Sequence, residues 1–201
     1  MTDQVPTAIV IGGDRPFGAE IVEGLQKAGY EVRSVGHAGD PSVAAAGNAI
    51  EVFVLNTPVK RDGVRFLDIT QDLFIGALET QLYEVFAAGQ AAASQLKRSG
   101  SMVHVASRAH LGAWGGAHQV AAGAALIGLS RSMALEFESQ DVRVNTLAAD
   151  FVGEAWDTPA ARAALADAVV FLAGPGSKLL SGETLLLDQA RSLRMTESAK
   201  R

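Results

Sequence analysis

The sequence contains no cysteine, which excludes a disulfide scaffold and any thiolate metal site and suits a reducing compartment. Aromatic residues are scarce, and only two are tyrosines, Tyr30 and Tyr83, so any chemistry that needs a phenol must use one of them. The net charge is −5 and no Lys/Arg cluster stands out, so the electrostatic footprint of a nucleic-acid-binding surface is missing. No stretch approaches the roughly 20 uninterrupted apolar residues of a membrane-spanning helix. The opening MTDQVPTAIVIGG has no basic region ahead of a long apolar core, so it does not read as a signal peptide. Internal repeats are absent, and the one low-complexity patch is a short Ala/Gly run from Val43 to Ala49. What remains is a single domain over 1–201, expected in the cytoplasm, with neither nucleic acid nor membrane as partner and a polar tail at about 192–201. Hydrophobic residues make up 48% of the chain, enough to build a full sheet-and-helix core.

The stretch that organises the chain runs from Ser101 to Glu138. Met102 to Ser107 reads as a strand buried in a parallel sheet. A connection rich in glycine (Gly112, Gly115, Gly116) leads into a long helical pattern. Leu126, Leu129, Met133 and Phe137 form one apolar stripe; Val120, Ala124 and Ile127 form another. A helix apolar on two sides is covered twice, by its own sheet and by something else, here read as a partner helix. His104, in mid-strand, is expected to be buried and hydrogen-bonded, and no ligand cluster supports a metal site.

Thr7–Ile11 reads as a first buried strand running into Gly12-Gly13-Asp14-Arg15-Pro16-Phe17-Gly18, followed by a helix carrying Ile21, Leu25 and Ala28. Strand, Gly-rich turn and helix form the context in which a backbone can approach a pyrophosphate. Two readings stay open for this loop: ligand binding, or a turn retained for folding. A second strand, Glu31–Val35, ends in Gly36-His37. An acidic residue at this place holds ribose hydroxyls, so Gly36 disfavours NAD, while His37 and Arg15 could face the extra phosphate of NADP. Only a short connection separates His37 from the next strand, Glu51–Leu55. A long helix is expected from about Asp72 to Arg98, a strand over Asp141–Leu147, and a last long helix by Ala161.

The segment from Ala125 to Glu136, with Ser107 and the Gly-rich connection before it, resembles the active-site region of the short-chain dehydrogenase/reductase family. Asp141 to Leu147 is similar to the family's I-R-V-N-x-V, and the stretches Asp167–Ala173 and Leu180–Asp188 are similar to its ending. The resemblance implies an α/β fold: a doubly wound, Rossmann-like parallel sheet. One outer strand is missing, because the connection after His37 is short, and the substrate lid is shortened, because Phe151 to Pro159 crosses quickly to the last helix. In the family the strand carries a catalytic Ser, here Ser107, and the helix opens on Y-x-x-x-K. Gln119 stands in the place of that Tyr, Gly123 in the place of the Lys, and Gln81 in the place of a catalytic Asn. Against the loop pattern T-G-x-x-x-G-x-G, Gly12 and Gly18 match the outer glycines, Ile11 replaces Thr and Pro16 the middle Gly. Asn56 matches the second Asn of N-N-A-G.

The resemblance implies hydride transfer between NAD(P) and a carbonyl or alcohol, with Tyr as proton donor and Lys lowering its pKa. A Gln amide does not titrate usefully and Gly has no side chain. The losses fall on the reacting groups and the cofactor contacts; the sheet core and two helices survive, and in the family those helices, here 72–98 and 119–138, make a four-helix contact with another subunit. The leading expectation is therefore a non-catalytic member, without bound cofactor, acting as an assembly or regulatory subunit in a homo-oligomer or in a hetero-oligomer with an active dehydrogenase subunit. The alternative is an enzyme with a rewired site, NADP-dependent or non-redox, in which His118 or His110 approaches Ser107 and serves as acid or base. A cofactor-sensing regulator is a third class.

Overall fold

The computed structural model describes residues 5–37, 39, 50–59, 61–149 and 158–194. Its elements are β1 (Thr7–Ile11), α1 (Gly18–Lys27), β2 (Glu31–Val35), β3 (Ile50–Asn56), α2 (Gln71–Ala77), a π-helical turn (Leu78–Tyr83), α3 (Glu84–Ala93), β4 (Leu96–Ser107), α4 (Ala117–Glu136), β5 (Arg143–Ala149), α5 (Pro159–Ala173) and β6 (Thr184–Leu187). The strands form one parallel sheet in the order β2-β1-β3-β4-β5-β6.

Alternation of side chains along each strand gives the sheet two apolar faces. Ile9, Ile11, Phe53, Leu55 and Met102 point to the side covered by α3 and α4, where Val85, Ala88, Leu126 and Met133 meet them. Ala8, Val10, Val54, Val103 and Val105 point to the other side, against Ile21 and Leu25 of α1 and Leu165, Val169 and Leu172 of α5. This is a doubly wound α/β sheet with helices on both faces. The order reverses between β1 and β3, so the crevice for a ligand lies beyond their C-terminal ends, at Gly12 and Asn56.

Among the described residues β2 is the edge strand on that side and pairs with β1 alone. The connection expected to lack a further strand, including the patch at 43–49, falls almost wholly outside the described residues, as do most of the shortened lid and the end of the polar tail.

Three elements depart from the sequence reading. The helix expected to run to Arg98 ends at Ala93. The Ser94 hydroxyl (3.0 Å) and the Gln95 amide (2.9 Å) both donate to the Ala91 carbonyl, side-chain bonds that compete with the helical ladder. β4 consequently begins at Leu96, which pairs with Ile50, and the chain kinks through Ser99 (φ 62°) before pairing resumes at Ser101. The same helix is also interrupted by the π turn, where the Thr80 hydroxyl donates to the Gly76 carbonyl at 2.7 Å. Finally, α4 starts at Ala117, and its two predicted stripes are buried only in part: Leu126, Ile127 and Met133 enter the core, while Ala124 of the second stripe is exposed beside Ala125 and Gly128.

Candidate active site

β4 ends at Ser107, whose Oγ accepts a hydrogen bond from the Ala109 N–H at 3.1 Å. Its own hydrogen therefore remains free to donate. The His110 ring reaches back so that Nδ1 lies 3.1 Å from the Ser107 carbonyl oxygen. A carbonyl only accepts, so Nδ1 carries the hydrogen and Nε2 is left as the acceptor. α4 supplies Gln119 and Gly123 from its first turns, and the π turn supplies Gln81. These residues, with Ser107 and His110, line one small cavity of about 20 Å³, room for roughly one water.

The structure thus brings together the four positions that the sequence resemblance singled out. Gln119 is oriented by the Asp62 N–H, which donates to its Oε1 at 3.0 Å, so its Nε2 is the donor end. At Gly123 a Cβ would meet nothing within 4 Å, so the space a longer side chain would enter is open. Ser107 and Gln119 provide hydrogen-bond donors that can hold a carbonyl oxygen. Neither releases a proton near neutral pH.

His118 was expected as the alternative partner of Ser107, and the geometry places it elsewhere. It is 2% exposed, on the inner side of α4, and its Nε2 lies 3.0 Å from Asp62 Oδ2. Asp62 Oδ1 accepts the Val64 N–H at 3.0 Å, and Arg61 donates to the Trp114 carbonyl at 2.6 Å. These contacts clamp the loop after β3 onto the glycine-rich connection. Gly115 (φ +71°) permits the contact: a Cβ there would sit 2.8 Å from the Gly63 carbonyl oxygen. His118 therefore positions a loop, and His110 is the histidine beside Ser107.

At the crevice, Gly12 adopts φ +79°, and a Cβ there would lie 2.3 Å from the Asn56 carbonyl oxygen. A Cβ at Gly18 would lie 2.3 Å from the Gly13 carbonyl oxygen. Both glycines are thus required by the turn itself. Asn56, completely buried, donates through Nδ2 to the carbonyls of Gly12 (2.8 Å) and Pro16 (3.0 Å), which spends both amide hydrogens on holding the loop. Arg15 runs back over Gly12, its Cδ 2.9 Å from where a Cβ would be, and pairs with Glu84 of α3 at 2.6 Å. At the end of β2, Asp14 Oδ2 lies 3.4 Å from the place of a Cβ on Gly36. A groove of about 860 Å³ opens here, with Arg15, His37, Gln81, Glu84 and Gln119 on its walls.

These residues do not fit a dinucleotide. The backbone that should be bare at Gly12 is covered by Arg15, Pro16 offers no N–H, and Arg15, the arginine among the described residues that line the groove, is already paired with Glu84. His37 faces the groove, but a 2′-phosphate beside Gly36 would meet the Asp14 carboxylate. Glu84 and Asp14 were not foreseen from the sequence, since nothing in the spacing links positions so far apart. Among the described residues there is no group of three or more His, Asp or Glu that could hold a metal ion, and no helix is long and apolar enough to cross a membrane.

Residues 33–165 match the family model described as enoyl-(acyl carrier protein) reductase. The 3-oxoacyl-[acyl-carrier-protein] reductase FabG of Vibrio cholerae is 30% identical over 157 residues, 68% of this chain and 64% of that protein. The same enzyme from Chlamydia trachomatis is 25% identical, over 90% of this chain and 95% of that protein. The match to Vibrio cholerae FabG thus spans about two thirds of its length. Among solved structures, a short-chain dehydrogenase/reductase from Serratia marcescens superposes with a TM-score of 0.78 at 23% identity, covering 92% of this chain and 96% of that one. An oxidoreductase of the same family from Burkholderia thailandensis gives 0.81 at 18% identity, covering 98% and 99%. Sheet order, match and superposition agree: the chain belongs to the short-chain dehydrogenase/reductase family.

Proposed function

We propose that this chain is a non-catalytic short-chain dehydrogenase/reductase, a cytoplasmic assembly or regulatory subunit that works without a bound nucleotide. The observation that carries the reading is the cavity at Ser107. It holds hydrogen-bond donors at Ser107 and Gln119, and at the places of the proton-donating Tyr and its Lys it has an amide and a bare backbone. Loss of general acid–base help of this kind typically lowers a rate 10²–10⁴-fold. The relatives named above are reductases; what this chain shares with them is the frame.

The docking face belongs to the π turn, α3 and α4. Leu78, Leu82, Tyr83, Phe86, Ala125 and Leu129 line an apolar groove of about 660 Å³. Tyr83 and Phe86 stand out as exposed knobs, and Ala124, Ala125 and Gly128 form a flat strip beside them. Knobs next to a strip of small residues are self-complementary under a two-fold axis, since each copy's knobs meet the other's strip. The occupant is therefore a second chain of this fold: another copy, or an active dehydrogenase subunit presenting the same face.

Sedimentation of the purified protein at micromolar concentration, alone and with a co-purifying dehydrogenase, tests the assembly; a lone monomer that recruits none overturns it. Titration with NADPH tests the silence of the site, and the expected result is no binding and no turnover of carbonyl substrates. A second reading, an enzyme rewired around Ser107, draws support from the His110 tautomer described above. Turnover that disappears in His110→Ala would promote that reading.

A further inference from the structure

We infer that Glu84 is a built-in anionic occupant of the crevice, held by Arg15, and that this ion pair keeps phosphate-bearing ligands out. The inference stands whether or not the chain works within an assembly. Arg15 reaches from the Gly12–Gly18 loop, and its Nη2 lies 2.6 Å from Glu84 Oε1 and 3.4 Å from the Gly36 carbonyl oxygen. Its stem packs over Gly12. The carboxylate therefore sits near the end of β2, beside the first turn of the loop, on a guanidinium that a phosphate would otherwise recruit. Both side chains are partly withdrawn from solvent, at 30% and 16% exposure, which strengthens the pair relative to an exposed one.

The remaining charges facing the groove sharpen the effect. Glu79 lines it together with Glu84, Arg15 and His37, and Asp14 stands at Gly36. With Arg15 neutralised, a polyphosphate approaching the groove meets carboxylates and, among the described lining residues, no second guanidinium. Once Glu84 is made neutral, Arg15 is released toward the loop, and its planar fork matches phosphate geometry.

The test uses inorganic pyrophosphate as probe and calorimetric titration as readout, on the intact wild-type chain, Glu84→Gln, and the double variant Arg15→Ala/Glu84→Gln. The expected result is pyrophosphate affinity at least tenfold higher in Glu84→Gln than in the wild type, returning to the wild-type level in the double variant. Equal affinity in the wild type and Glu84→Gln overturns the inference, and so does a gain that survives removal of Arg15. Should Glu84→Gln fail to fold by circular dichroism, the same three-way comparison made with Glu84→Ser decides by the same criteria.

Discussion

His104 stands in the middle of β4 with its ring completely buried. The Ser130 hydroxyl donates to the Leu126 carbonyl at 2.9 Å, so its oxygen accepts from His104 Nδ1 and the ring's hydrogen is on that nitrogen. Nε2 has no hydrogen-bond partner. Burial lowers the pKa from 6.5 to about 4. In the unfolded chain the imidazole takes up its proton as pH falls through 6.5, whereas the folded protein resists until about 4. Acid therefore favours the unfolded state, and stability drains away between those values, by about 3 kcal/mol at the lower end. Urea midpoints at pH 7.5 and 4.5 check this. In His104→Leu the decline across that window should largely vanish; an unchanged slope would show that other groups cause it. The position and burial of this histidine were legible from its place in an apolar run. Its bond to Ser130, like the pairing of Arg15 with Glu84, joins residues that only the tertiary fold brings together.

At the scale of elements, strand length and place were read well in β1, where the pattern is almost purely apolar, and in β2, where Val32 and Val35 stand among polar residues. They were read poorly at the start of β4, where Leu96-Lys97-Arg98-Ser99 breaks the run, and at the π turn, because a single offset of one residue is lost among the many apolar residues of that helix. Another feature without a sequence signature is the way α5 ends. Arg143, the first residue of β5, sends its guanidinium to the carbonyls of Leu172, Ala173, Gly174 and Ser177 and to the Ser177 hydroxyl, at 2.6 to 3.2 Å. It satisfies the acceptors a helix leaves bare at its C-terminus and favours the dipole there. Arg143→Met is expected to lower stability by roughly 2 kcal/mol, since a charged donor is lost and the Ala173 carbonyl is left bare, while the carbonyls of Leu172, Gly174 and Ser177 keep bonds from Ser101, Ser177 and the Leu180 N–H. Arg143→Lys should recover little, because an ammonium cannot span the same fork of acceptors. Guanidinium denaturation of both variants measures it, and a loss below about 1 kcal/mol for Arg143→Met would show that the carbonyls find other donors.

For the whole molecule, the layer arrangement followed from alternating and helical periodicity, and the reacting positions from the motif around Ser107. Which histidine meets Ser107 did not follow, because a loop's path is set by contacts such as Asp62 with His118 and Gly115 with Gly63. The proposed assembly makes a prediction at this scale. Phe86 is 42% exposed at the edge of the apolar groove, so Phe86→Glu changes little in the monomer's core and puts a charge into the seam. The expected outcome is dissociation to monomers in sedimentation with an unchanged far-ultraviolet spectrum. A variant that sediments like the wild type would place the contact on another face.

The open space beside Gly123 has a consequence for the future of this scaffold. A Cβ there meets nothing among the described residues within 4 Å, so the backbone one helical turn after Gln119 tolerates the first atom of a side chain. The two ends of the crevice therefore differ: one leaves room at a bare backbone, and the other carries the Arg15–Glu84 ion pair.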